Sequence, residues 1–260
     1  MSDGELLSTD LPSGVRVLTL NRPERLNALS REINSGIREA FESAERDGTR
    51  CIVIQGEGRA FSVGADLKEP TTHSTEGIAD ALDMFYPGKD IAPPCRVPVI
   101  AAVHGYCCGG GWELALAADI CVATRDARFW FPQTGLGLFP GAGGTGRLVK
   151  AVGKSNAMDI ILTGRFVSGE EGYRLGFVSR LFENRDELVA GARALAEEIA
   201  SKSPLGVMMA KQSITRAMDR PIEEALLEDN MRLFPLYESE DRKEASAAFL
   251  EKRTPVWRGR

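Results

Sequence analysis

Two histidines and five cysteines are all that 260 residues offer to a soft metal ion. A zinc site needs paired C-x-x-C or histidine partners, and His73 and His104 are the only histidines, so no metal site is expected. The cysteines, Cys51, Cys95, Cys107, Cys108 and Cys121, are odd in number, and two of them sit in apolar strand-like runs. That usage fits reduced thiols and a cytoplasmic location rather than a disulfide framework. Basic excess is missing too. A net charge of −5 argues against a nucleic-acid surface, which normally carries a basic stripe. No apolar run approaches the ~18 residues of a membrane span. The start, MSDGELLSTDLPSG, holds acid and no apolar run, so no signal peptide is expected.

What remains is an ordinary globular composition, with 43% hydrophobic and 27% charged residues, long enough for one large domain or a domain with an appended arm. GVRVLTL reads as a strand. SREINSGIREAFESAERD reads as a helix capped by Ser30, with Ile33, Ile37, Phe41 and Ala44 at helical spacing. CIVIQG, PVIAAVHG, DICVAT and ARFWF read as further strands, with helical stretches near 64–69 and 111–118. Strands alternating with helices predict an α/β fold with right-handed crossovers. Beyond about residue 142 the pattern turns helical. KSNAMDIILTG closes on Gly164, SGEEGYRLG opens with a Ser168-x-x-Glu171 capping box, and a strand lies near FVSRLF. Four helical stretches follow, and such a tail must pack on the core or on another subunit. The stretch TTHSTEGIADALDMFYPGKDIAPPC is the least patterned and is read as a mobile segment.

Three glycine motifs stand out. FPQTGLGLFPGAGGTG holds G-x-G-x-x-G at Gly141, Gly143 and Gly146. A dinucleotide fingerprint needs a strand running straight into the glycines, and an acidic residue about 20 residues on at the end of a second strand. Here a loop precedes the glycines, and the acid at that spacing, Asp159, lies in a helical pattern, so a dehydrogenase is not supported. GRAFSVGADLKE and HGYCCGGGWELALAADI share another design: buried strand, glycine turn, helix start. A helix start presents unpaired N–H groups. Two of them side by side can hold one oxygen that gains negative charge, an oxyanion hole.

AFSVGADLKE and GYCCGGGWELALAADI resemble the two signature segments of the crotonase family, the enoyl-CoA hydratases and isomerases. NRPERLNALS, LGLFPGAGGTGRL and AAFLEKRTPVWRGR resemble further segments of that family, in the same order and nearly end to end. The resemblance implies a spiral of ββα units over 1–195, a C-terminal helical trimerisation region over 196–260, and a trimer or a hexamer of paired trimers. It implies an acyl-CoA thioester as substrate, with coenzyme A carried by that substrate and no separate cofactor. It places the oxyanion hole at the N–H groups of Ala65 and Gly110. Coenzyme A and acyl contacts are implied at Arg25, Leu26, Phe61, Val63, Asp66, Lys68, Gly109 and Leu138. Phe249 and Lys252 are implied to reach coenzyme A from a neighbouring subunit.

The family's hydratases use two glutamates around the added water. Glu113 matches the first. The second is expected after a proline before the glycine loop, where this chain has Pro132-Gln133. An amide neither takes nor gives a proton at ordinary pH, so Gln133 can only orient a partner by hydrogen bonds. Pro140-Gly141 also lacks the aspartate of hydrolase, isomerase and dehalogenase variants. His73, Asp83 and Tyr86 are candidates for a replacement acid, and His104 reads as structural. Trp130, Phe131, Leu138 and Phe139 are read as acyl-pocket wall or core, without a choice between them. Three functions stay open: a hydratase-type lyase with Glu113 as the main acid/base; isomerisation, decarboxylation or carbon–carbon hydrolysis on the same fold; and a non-catalytic acyl-CoA binder.

Overall fold

A computed structural model describes residues 4–68 and 95–260. His73, Asp83, Tyr86 and the stretch read as mobile lie outside the described residues, apart from Cys95 at its end. Among the described residues, ten strands form two sheets. The larger contains β1 (Leu6–Asp10), β2 (Val15–Leu20), β3 (Cys51–Gly56), β5 (Val99–Val103), β7 (Ile120–Thr124) and β10 (Arg180–Phe182), in that order. The smaller contains β4 (Ala60–Ser62), β6 (Tyr106–Cys108), β8 (Arg128–Trp130) and β9 (Val167–Ser168). Successive strand pairs β3–β4, β5–β6 and β7–β8 each send one strand to each sheet. Within each sheet these strands run parallel. That is the expected ββα spiral.

Apolar runs without polar alternation mark strands buried on both faces. Ile52 and Ile54 of β3 pack into one core cluster, with Ala101, Val103, Cys121 and Ala123. Their neighbours Cys51 and Val53 pack into a second cluster, with Ile100, Ala102 and Val122. The second face is covered by α6 (Arg185–Ala200) through Leu188, Ala192, Leu195 and Ala196. The first is covered partly by α1 (Arg31–Ala44), whose buried Ile33, Ile37, Phe41 and Ala44 are the ones its spacing predicts. Ser30 caps α1 by accepting from the Ile33 N–H at 3.2 Å. Beyond α4 (Lys154–Thr163), Ser168 likewise accepts from Glu171 N–H, at the start of α5 (Gly169–Leu175).

One expectation needs correcting, and one strand adds to the reading. Residues 64–68 are not helical: Ala65 makes a bridge to Leu29, and Leu67 and Lys68 form a turn. β1 went unread because its residues, LLSTD, are half-buried or exposed at a sheet edge and carry no apolar alternation. Three further helices follow α6: α7 (Pro204–Ala217), α8 (Ile222–Glu238) and α9 (Glu240–Glu251). Among the described residues no helix is long and apolar enough to cross a membrane.

Lys211 fastens α7 to the sheet. Its ammonium lies 2.6 Å from Asp119 Oδ2 and donates to the Val97 carbonyl at 2.7 Å, while Val99 N–H also donates to Asp119. Its side chain is only 7% exposed. Breaking a buried pair costs more than the pair contributes, because one charge is left alone. Lys211→Met is expected to lower stability by about 2–3 kcal/mol, less than a fully buried pair because Asp119 keeps some solvent. Thermal or urea unfolding checks this. An unchanged midpoint contradicts the fastening role.

Candidate active site

The two glycine turns meet. Gly64 follows β4 with φ of 89°, and Gly109 follows β6 with φ of 50°. A Cβ on Gly64 would lie 2.7 Å from Gly110 N and 2.8 Å from the Cys108 carbonyl. A Cβ on Gly110 would lie 3.6 Å from Ala65 N. Glycine is therefore required at 64 by both backbone angle and space. Gly110 opens α2 (Gly110–Ala117), so its N–H is one of the orphans of a helix start. Neither Ala65 N–H nor Gly110 N–H donates to an acceptor among the described residues. The two amides, both without an acceptor, thus lie on neighbouring turns. Only the second comes from a helix start; the first comes from a bridged turn.

That bridged turn is held from below. Leu29 N–H donates to Gly64 O at 2.8 Å, and Asp66 N–H donates to Leu29 O at 3.3 Å. Ser62 Oγ donates to Asn27 O and accepts from Gly64 N–H. Asn27 is fully buried, in the left-handed region at φ of 55°, and its amide donates to both Glu57 O and Ala60 O. Asn27 and Ser62 were missed from sequence. Asparagine's tolerance of positive φ, inside NRPERLNALS, was the available signal.

Glu113 lies one helical turn into α2 and is 4% exposed. Its Oε1 accepts from Gly144 N–H at 3.1 Å. Burial pushes its carboxyl up to about 7, against the N–H groups of Gly144 and Ala142 and the charge of Arg147, which pull it down. Gly144 opens α3 (Gly144–Val152). A Cβ there would meet Pro140 Cβ at 2.6 Å, Phe131 Cζ at 2.9 Å and Glu113 Cγ at 3.0 Å. The loop with the fingerprint spacing thus serves a carboxylate of its own chain. Gln133 begins the 3-10 turn Gln133–Leu136, and its Nε2 lies 3.6 Å from where a Gly109 Cβ would be.

The other sequence candidates divide. Val63 O approaches Gly109, and Leu26 O accepts from Val63 N–H, so both line the turn. Arg25 is exposed at the end of the turn Pro23–Arg25. The Asp66 carboxylate pairs with Arg22 at 2.9 Å and accepts from Lys68 N–H. Burial alone would raise its pKa, and these partners hold it below the usual value. Asp66 therefore braces the turn, while the Lys68 side chain is exposed. Phe61 is fully buried, and its N–H donates to His104 O. Leu138 is exposed, beside exposed Leu136 and Phe139. Phe131 stacks on Trp112 at 4.2 Å and is fully buried, which makes it core rather than pocket wall. Trp130 donates to Gly164 O, and the His104 ring bonds Gly58 O, a structural place for each. Phe249, 83% exposed, and Lys252 sit at the end of α9, which packs on α8; no hydrogen bond or ion pair joins them to the glycine turns.

Known proteins share this architecture. The sequence profile described as enoyl-CoA hydratase/isomerase matches residues 10–260. A probable enoyl-CoA hydratase of Mycobacterium bovis is 39% identical over 252 residues, 96% of this chain and 97% of the relative. A 2,3-dehydroadipyl-CoA hydratase of Escherichia coli is 38% identical over 248 residues, 95% of this chain and 96% of the relative. A crystal structure of an enoyl-CoA hydratase from Bacillus anthracis has a TM-score of 0.91 at 32% identity, covering 98% of this chain and 100% of that one.

Proposed function

Because the chain belongs to the enoyl-CoA hydratase/isomerase family, a family of enzymes, we propose that it adds water across the double bond of an enoyl-CoA thioester. The observation that carries this is the pair of free amides, Ala65 N–H and Gly110 N–H, beside a buried carboxyl at Glu113. The amides hold the thioester oxygen as it takes negative charge, which makes the β-carbon open to attack. Glu113 takes the proton from the attacking water and returns one to the α-carbon. A pKa of about 7 suits both transfers. Gln133 has no proton to give and acts by hydrogen bonding alone.

The thioester tail is assigned to Arg25, Leu26, Val63 and Lys68, and to Phe249 and Lys252 of a neighbouring copy. Leu138 and Gly109 are assigned to the acyl side, and Phe61 and Asp66 support the turn. A homotrimer or hexamer is proposed, because α8 leaves Leu226, Leu227, Met231 and Phe234 exposed in a single chain. No cofactor is called for beyond the coenzyme A of the substrate. A cytoplasmic location fits five free, buried cysteines.

The pH profile tests the assignment of one titrating group. The base form of Glu113 is the active one. So kcat/KM for an enoyl-CoA is expected to rise as pH passes through about 7 and to stay level above it. A bell with a second, acidic group on the alkaline side counts against Glu113 acting alone.

A further inference from the structure

Gln133 is held firmly and has nothing to hold. Its backbone carbonyl accepts from Leu138 N–H at 2.9 Å, and its neighbour Thr134 donates to Ile161 O at 3.0 Å. Trp130, three residues earlier, donates to Gly164 O at 2.6 Å. Yet neither end of the side-chain amide has a hydrogen-bond partner among the described residues, and Oε1 is fully buried. Buried polar groups without partners are rare, and one beside a reaction site calls for an explanation.

The two ends are not equivalent. Oε1 is enclosed and out of reach of a ligand, whereas Nε2 lies against Gly109, next to the Gly110 amide. Turning the amide over would enclose its N–H groups instead, and orphaned buried N–H groups are rarer than under-used carbonyls. The end presented to the site is therefore a donor. A carboxylate here would accept and repel anions; this amide donates and is neutral.

Resting on the acyl-CoA reading above, we propose that Gln133 Nε2 reads the acyl chain by donating to an oxygen carried on its fourth carbon, the one beyond the double bond. The preferred substrates are then enoyl-CoA esters of oxo or dicarboxylic acids rather than plain alkenoyl-CoA. With the thioester oxygen on Ala65 and Gly110 N–H, the carbons that follow pass beside Gly109 and meet this donor. Leu136, Leu138 and Phe139, exposed in the residues that follow Gln133, are assigned to the remaining chain.

The test is calorimetric binding of two unreactive esters of equal chain length, pentanoyl-CoA and 4-oxopentanoyl-CoA. Wild type is expected to bind the oxo ester about 10-fold more tightly, the size of one added hydrogen bond in a desolvated site. Gln133→Met and Gln133→Glu are each expected to erase that preference and to change pentanoyl-CoA affinity less than about threefold. Equal affinities in wild type, or a preference that survives both substitutions, overturn the proposal and leave the acyl-CoA reading standing. Failure of wild type to bind either ester overturns that reading and this one with it.

Discussion

Glu113→Gln is expected to lower kcat by about 10³-fold or more while acyl-CoA affinity changes only a few-fold, because one group carries the acid–base work. The substitution keeps size and keeps an oxygen for the Gly144 N–H, so the helix start stays in place. A second readout separates lost chemistry from lost structure. The folded carboxyl is raised from 4.5 to about 7. Below pH 4.5 it is protonated folded or unfolded, and costs nothing. As pH rises from there through about 7, the unfolded chain ionises freely and the folded one does not, so stability is lost and stays lost above. The variant escapes this. It is expected to be more stable than wild type by about 3 kcal/mol at pH 8, with no such gain at pH 4. Steady-state kinetics and melting at both pH values check the pair. An inactive variant that melts lower at pH 8 would point to structural damage instead.

Gly64→Ala is expected to reduce kcat/KM by about 10²–10³-fold, the size of a lost oxyanion donor. The new methyl would sit 2.7 Å from Gly110 N, between the two amides, at a backbone angle that alanine resists. The control is Gly146→Ala. Gly146 lies within α3 with nothing within 4 Å of an added Cβ. Activity is expected to be unchanged there and stability raised by about 0.5–1 kcal/mol. A dinucleotide loop would instead lose its ligand at this position, so the two glycine substitutions together separate the readings. Full activity in Gly64→Ala, or lost activity in Gly146→Ala, contradicts the site described.

The core strands were legible because they are buried on both faces, and short β-branched apolar runs ended by glycine, such as CIVIQG, read as strands. α1 was legible through its cap and spacing. The short strands β4 and β6 were absorbed into the glycine motifs, since three residues give no period to read. The two amides were legible as glycine turns after strands, but the bridge from Leu29 that shapes the first is a long-range pairing no local pattern carries. The same holds for Asn27 under β4 and for Gly144 on Glu113, each partnered some thirty residues away. Gln133 was conspicuous in sequence as an amide in an acid's place. Which of its ends is enclosed became visible only in the folded chain.

The most direct measurement is mass spectrometry of products formed from enoyl-CoA esters in ¹⁸O-labelled, deuterated water. Hydration at this site predicts a product gaining one labelled oxygen at the β-carbon and one deuterium at the α-carbon, and no such product with Glu113→Gln. Deuterium uptake without oxygen, loss of a carboxylate, or chain cleavage would contradict hydration and assign the same amides to another enolate reaction.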